Sequence, residues 1–164
     1  RNEPEMSAQA LDDVTTYLEF LAVPGRDYLD NPEVQLGENL FNDAQCSACH
    51  KSDITTGDEH RRRRLRGQTI HPYTDLLLHD MGEGLADHRP SFNADGREWR
   101  TAPLWGIGMV ERVNGHTLFL HDGRARNLAE AILWHGGEAE AAKQRFVAMN
   151  KNEREALVKF LKSL

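Results

Sequence analysis

Cys46-Ser47-Ala48-Cys49-His50 is the stretch of this chain whose residue types and spacing carry chemistry. Two cysteines two residues apart, followed at once by histidine, form the attachment sequence of a c-type haem. Each thiol adds to one vinyl group of the porphyrin as a thioether, and the two-residue gap matches the span between the vinyls. The adjacent histidine then falls under the iron and supplies an imidazole ligand. A redox C-x-x-C of the thioredoxin kind would want a βαβ setting, whereas the flanking residues read as helix. A zinc site would want a second ligand pair nearby. His116 and His121 have finger-like spacing, but they lie far downstream of Cys49. A disulfide between the only two cysteines would close a tight loop with little benefit.

The sixth position of such an iron decides its chemistry. His135 is the first candidate. It stands seven residues after Leu128, with Ala131 and Ile132 on the same helical face, where an apolar residue would be expected. A buried imidazole without a partner is costly. Iron would satisfy it, and so would a backbone carbonyl. Met81, between Asp80 and Gly82, is the alternative ligand, as a loop methionine able to swing over the haem; otherwise it fills a gap. Met109 and Met149 read as core.

Other residues are candidates for supporting roles. Arg97 and Arg100 flank Trp99, and their guanidinium forks suit haem propionates. The run of arginines at 61–64 reads as solvated loop, with a propionate clamp or docking patch as the sharper alternative. Trp99 or Trp105 near the haem edge could help electrons across to a partner; core packing is the plainer role. His121, beside Asp122, could support a ligand or simply lie in a turn. Asp75, Asp80, Glu83 and Asp87 could gather a calcium ion, without EF-hand spacing.

The elements that must position these groups read as helices. Leu11, Val14, Leu18 and Leu21 recur at helical spacing over residues 6–22, with Ser7 as N-cap and Pro24-Gly25 as the stop. A second helix is predicted over 32–42, with Leu36, Leu40 and Phe41 on its buried side. Gly37 in that helix costs about 1 kcal/mol, which close approach by another helix would explain. The last helix is the natural partner: Asn150 and Glu153 form a capping pattern, and Leu157, Phe160, Leu161 and Leu164 make one stripe. Residues 51–100 read as a long irregular excursion with one short helix at 73–79. Residues 101–109 form a second apolar patch, 110–117 a turn, and 118–120 a return to the core. A helix capped by Asn127 and Glu130 runs to Gly136-Gly137, and another spans 138–149. Strand signal is weak throughout. The fold expected is all-α, a class I cytochrome c-like core with a long irregular loop insertion. Residues 1–30 would be an N-terminal helix and linker, and 31–164 the haem domain.

A chain of 164 residues with 39% hydrophobic and 28% charged content fits one soluble globular domain on a modest core. Its net charge of −6 argues against nucleic acid as a partner and leaves room for a basic redox partner. No apolar run approaches a membrane span. The first residue is Arg1, which reads as a processed product or an excerpt. Covalent haem attachment in bacteria takes place outside the cytoplasm, so a periplasmic location is inferred from the motif.

Several stretches together resemble the C-terminal haem domain of the bacterial di-haem cytochrome c peroxidase family, in its di-haem oxidoreductase (thiol oxidoreductase) branch. They are Gly37-Glu38-Asn39-Leu40-Phe41, Cys46 to His50, Pro72 to Gly82, Gly96 to Gly106, Phe119 to Arg126 and Ala131 to Gly137. In that family the electron-transferring haem takes a methionine from the helix after the His-x-Gly turn, here His121-Asp122-Gly123. The resemblance puts His135 where that methionine stands, which implies bis-histidine ligation. The family also binds calcium between its two haem domains, through the segment before that turn. Here that segment carries an insertion at 110–116, so calcium stays an open expectation. The peroxidatic haem of the family has its own C-x-x-C-H in a separate domain, and this chain has one such motif.

Electron transfer through one covalent six-coordinate haem c, to a second haem domain or a redox partner protein, is therefore the expected function. The competing expectation is that this haem is itself the catalytic site of a peroxidase or thiol oxidoreductase. A third is a subunit that passes electrons within a larger respiratory assembly.

Overall fold

The computed structural model describes residues 4–164; Arg1 and the start of the expected 1–30 segment lie outside the described residues. Ser7 accepts a hydrogen bond from the Ala10 N–H and caps α1, Ala8–Glu19. Asn31 accepts from the N–H groups of Glu33 and Val34 and caps α2, Pro32–Asp43, whose first-turn proline has no donor to lose. Two short antiparallel pairs follow. β1, Ile54–Thr55, pairs with β2, Thr69–Ile70, and β3, Leu78–Asp80, pairs with β4, Glu98–Arg100. Then come α3, Val110–Asn114, α4, Leu128–Trp134, α5, Glu140–Ala148, and α6, Lys151–Leu161. The molecule is mostly helical, with these two small pairs where the strand signal in the sequence is weak.

The α2–α6 crossing is the frame. Asn150 and Glu153 close a full capping box on α6. Val34, Gly37 and Phe41 of α2 are buried, as are Ala156, Leu157, Phe160 and Leu161 of α6. A Cβ on Gly37 would overlap the Ala156 carbonyl and lie 2.7 Å from Phe160 Cβ. The close approach inferred for this glycine is present, with α6 as its cause. Leu36, by contrast, is exposed and Leu40 half-buried. The buried row steps Val34, Gly37, Phe41, which puts Leu36 on the other side of the helix.

Two further expectations are corrected, and the placement of α1 is a new finding. Residues 73–79 form no helix. Thr74 Oγ1 accepts from the Leu76 N–H and Asp75 Oδ1 from the Leu77 N–H. These side chains compete for the donors a helix would use, and Tyr73 and Leu76 both have positive φ. Residues 110–114 are a short helix instead of a turn. Finally, α1 buries no residue, and Leu11, Val14, Leu18 and Leu21 are all exposed. The excursion at 51–100 is largely irregular, as expected. Its arginines are not all solvated, since Arg61 pairs with Asp12 and Glu19 and Arg62 with Glu19.

Candidate haem site

A left-handed residue, Gln45, turns the chain out of α2, and Cys46–Ala48 forms a single 3-10 turn. The His50 N–H donates to the Cys46 carbonyl at 3.0 Å, which winds the motif into one compact loop. Cys46 packs against the core cluster around Phe41 and Phe160. Burial pushes the Cys46 thiol up to about 11 and raises Cys49 as well, so both are protonated thiols near neutral pH.

Tyr73 orients the His50 imidazole. Its ring stacks edge-on against Phe41, with centroids 6.2 Å apart, and against Phe160 at 5.9 Å. Thr74 N–H donates to the Lys51 carbonyl at 3.0 Å, tying this segment to the end of the motif. The Tyr73 carbonyl then accepts from His50 Nδ1 at 2.9 Å. A carbonyl can only accept, so Nδ1 carries the proton and Nε2 keeps its lone pair.

His135 repeats the arrangement. It is the C-cap of α4, one residue beyond the helix, and is half-buried. Its Nδ1 donates to the Ala131 carbonyl at 2.7 Å, which again leaves Nε2 free. The two rings face each other with centroids 6.5 Å apart and planes 48° apart. With metal–imidazole bonds of about 2 Å and a ring centroid roughly 1 Å behind each nitrogen, two axial imidazoles need about 6 Å. Burial holds His50 down to about 4 and also lowers His135, so both imidazoles are neutral at pH 7, as ligands must be. The donor set and its spacing fit a haem.

Met81 is brought to the same place by its backbone. Its carbonyl packs against Gly136, where an added Cβ would lie 2.9 Å away. Gly137 has φ +53, and a Cβ there would overlap the Asp80 carbonyl. The 80–82 and 135–137 segments can meet only because that position lacks a side chain.

Arg97 is exposed and ion-paired to Asp95 at 2.9 Å and Asp80 at 3.6 Å. Arg100 stands opposite Leu78 on β4, exposed, with no ion pair among the described residues. Trp105 is half-buried. Trp99 donates to the Leu85 carbonyl at 3.0 Å and stacks on His121 at 3.6 Å. Among the described residues, the one group of three His, Cys or carboxylate donors is Cys49, Asp75 and His79. It takes only Asp75 from the four carboxylates considered for calcium.

Sequence reasoning passed over His79. Its Nε2 bonds Asp75 and its Nδ1 bonds Glu138, both at 2.9 Å, beside Cys49. Spacing of four residues from Asp75 was a weak signal; Glu138 is brought in only by the fold. Glu138 first, then Asp75, raises the His79 pKa. A raised folded value means that the pair contributes stability in full below the unfolded histidine value of about 6.5 and loses it as pH rises through the folded value. The melting temperature of the wild type should therefore exceed that of His79→Gln most at pH 6 and converge with it in alkali. A gap that widens with rising pH would refute this assignment.

A mostly helical molecule with C-x-x-C-H at a helix end, and a second imidazole near the first, has the donor groups that a haem-binding oxidoreductase needs. The chain matches the family model described as "Di-haem oxidoreductase, putative peroxidase" over residues 1–164, and it belongs to that family. No curated protein and no solved structure matches it. No helix among the described residues is long and apolar enough to cross a membrane.

Proposed function

We propose that the chain is a c-type cytochrome domain that passes electrons through one covalently held haem, with His50 and His135 as axial ligands. The observation that carries this reading is the pair of facing imidazoles 6.5 Å apart, each with Nδ1 bound to a carbonyl. The α2–α6 crossing beside the motif supports reading the core as cytochrome c-like. When bound, the haem supplies a one-electron couple at its iron. Cys46 and Cys49 would hold it permanently through thioethers. Tyr73 and Ala131 fix the tautomer and orientation of the two ligands, as carbonyl partners do at metal sites. His50 and His135 together would hold the iron from both sides and leave no place for peroxide, and the haem would then supply electrons to a second haem on another domain or subunit. Arg100, exposed and without an ion pair among the described residues, is the better placed of the two arginines to meet a propionate; Arg97 already serves Asp80 and Asp95. Attachment of haem through thioethers would put the protein's working place outside the cytoplasm, the compartment we propose for it.

The test is the purified holoprotein. Its denatured mass should exceed the polypeptide by one haem. Its ferric spectrum should be low-spin and should lack the near-infrared charge-transfer band of iron bound to methionine sulfur. Its potential should be lower than that of a comparable His/Met haem. Haem that extracts into acid-acetone, or a high-spin ferric spectrum, would sink the proposal.

A further inference from the structure

Glu138 joins two segments that the backbone leaves unjoined. Among the described residues, no backbone-to-backbone hydrogen bond runs between residues 78–82 and 135–139. Gly136 and Gly137 let the two segments approach, but glycine brings no side chain to fasten the contact. One carboxylate spans the gap instead. Glu138 Oε1 accepts from the Asp80 N–H and Oε2 from His79 Nδ1, both at 2.9 Å.

His79 carries the connection across. Its Nε2 donates to Asp75 Oδ2 at 2.9 Å, and the Cys49 sulfur lies within 4.8 Å of this pair. An ionised carboxylate can only accept, so both ring nitrogens donate. The His79 and Asp75 side chains are 17% and 12% exposed, while Glu138 reaches in from the surface. Asp75 stands two residues after Tyr73, whose carbonyl orients His50. That stretch is itself fixed. The Thr74 N–H donates to the Lys51 carbonyl, the buried Thr74 hydroxyl to the Thr101 carbonyl at 2.7 Å, and the Leu77 N–H to Asp75 Oδ1. Glu138 stands three residues after His135. The line Asp75, His79, Glu138 therefore runs from the segment that orients one imidazole to the segment that carries the other.

We propose that His79 is a positioning residue for the haem iron, a staple that holds the His135 side of the crevice against the His50 side. The inference rests on His50 and His135 as the axial pair. His135 caps a helix of seven residues and is followed by two glycines. Beyond its bond to the Ala131 carbonyl, little in its own segment restrains it. The staple closes the crevice just past those glycines, and opening it is what lets the His135 segment draw back from the iron.

Cyanide uptake by the ferric holoprotein tests this, because cyanide enters only after an imidazole leaves. His79→Gln and Glu138→Ala should each stay low-spin at rest. Each should take up cyanide about ten-fold faster than the wild type, the low end of what a lost supporting partner costs a metal site. The double variant should be no faster than either single one, since each breaks the same connection. Asn150→Ala removes the capping box of α6 and should lower the melting temperature without changing the uptake rate, which separates positioning from stability. Three results would overturn the inference and leave the axial pair standing: single variants that match the wild-type rate, a double variant whose gain is the product of the single gains, or an Asn150→Ala protein that speeds up as much as they do. A high-spin wild type would overturn the axial pair, and this inference with it.

Discussion

Replacing His135 with alanine is expected to convert the ferric holoprotein from fully low-spin to high-spin and to let cyanide bind within the mixing time. The wild type should take up cyanide slowly, because an imidazole must leave first. The physical basis is the pair of neutral imidazoles with centroids 6.5 Å apart, each with Nδ1 committed to a carbonyl and Nε2 left with its lone pair. Alanine removes one of them and fills the space with nothing that can bind a metal. Met81→Ala is the control, since Met81 approaches Gly136 through its carbonyl. Its spectrum should match the wild type. If instead Met81→Ala turns high-spin and His135→Ala stays low-spin, the ligand is the methionine, and His135 is a capping histidine satisfied by the Ala131 carbonyl.

Gly37→Ala is expected to destabilise the holoprotein by roughly 2 kcal/mol or more, although alanine is the better helix former. Propensity favours the change by about 1 kcal/mol. Against this, the new methyl would overlap the backbone carbonyl of Ala156 and press on Phe160, which is fully buried. Overpacking of a filled core costs about 1–3 kcal/mol and sometimes more. A backbone oxygen in the middle of α6 cannot swing aside, so the helices must part and the overpacking outweighs the propensity. For a chain of this length that is a fall in melting temperature of about 4–8 °C or more. Gly25→Ala, with nothing within 4 Å of the added Cβ, should change stability by less than about 0.5 kcal/mol. A Gly37→Ala protein that melts with the wild type would mean that the helices do not touch at this point.

What could be read without the fold was whatever is local along the chain. The haem-attachment motif, the Ser7, Asn127 and Asn150 caps and the α6 stripe each need only residue types at short spacing. The three caps and the stripe are present in the structure. Gly37 was legible because a glycine inside a helix has a cost that needs a reason. The region at 73–79 was misread because a helical pattern of apolar residues competes with Thr74 and Asp75 turning their own backbone. Once Tyr73 is pinned between Phe41 and Phe160 with positive φ, the turn wins.

The rest depended on groups far apart in sequence. His50 and His135 are separated by 85 positions, and no spacing rule says that their rings face each other. That follows from the Tyr73 carbonyl on one side, the end of α4 on the other, and the packing of 80–82 against 136–137. The bond from His79 to Glu138 arises the same way. The orientation of α1 is the sharpest case. Its periodicity shows an apolar stripe, but periodicity is unchanged by rotating the whole helix about its axis. Sequence alone determined that the stripe exists; the ion pairs of Arg61 and Arg62 with Asp12 and Glu19 decided that it faces outward.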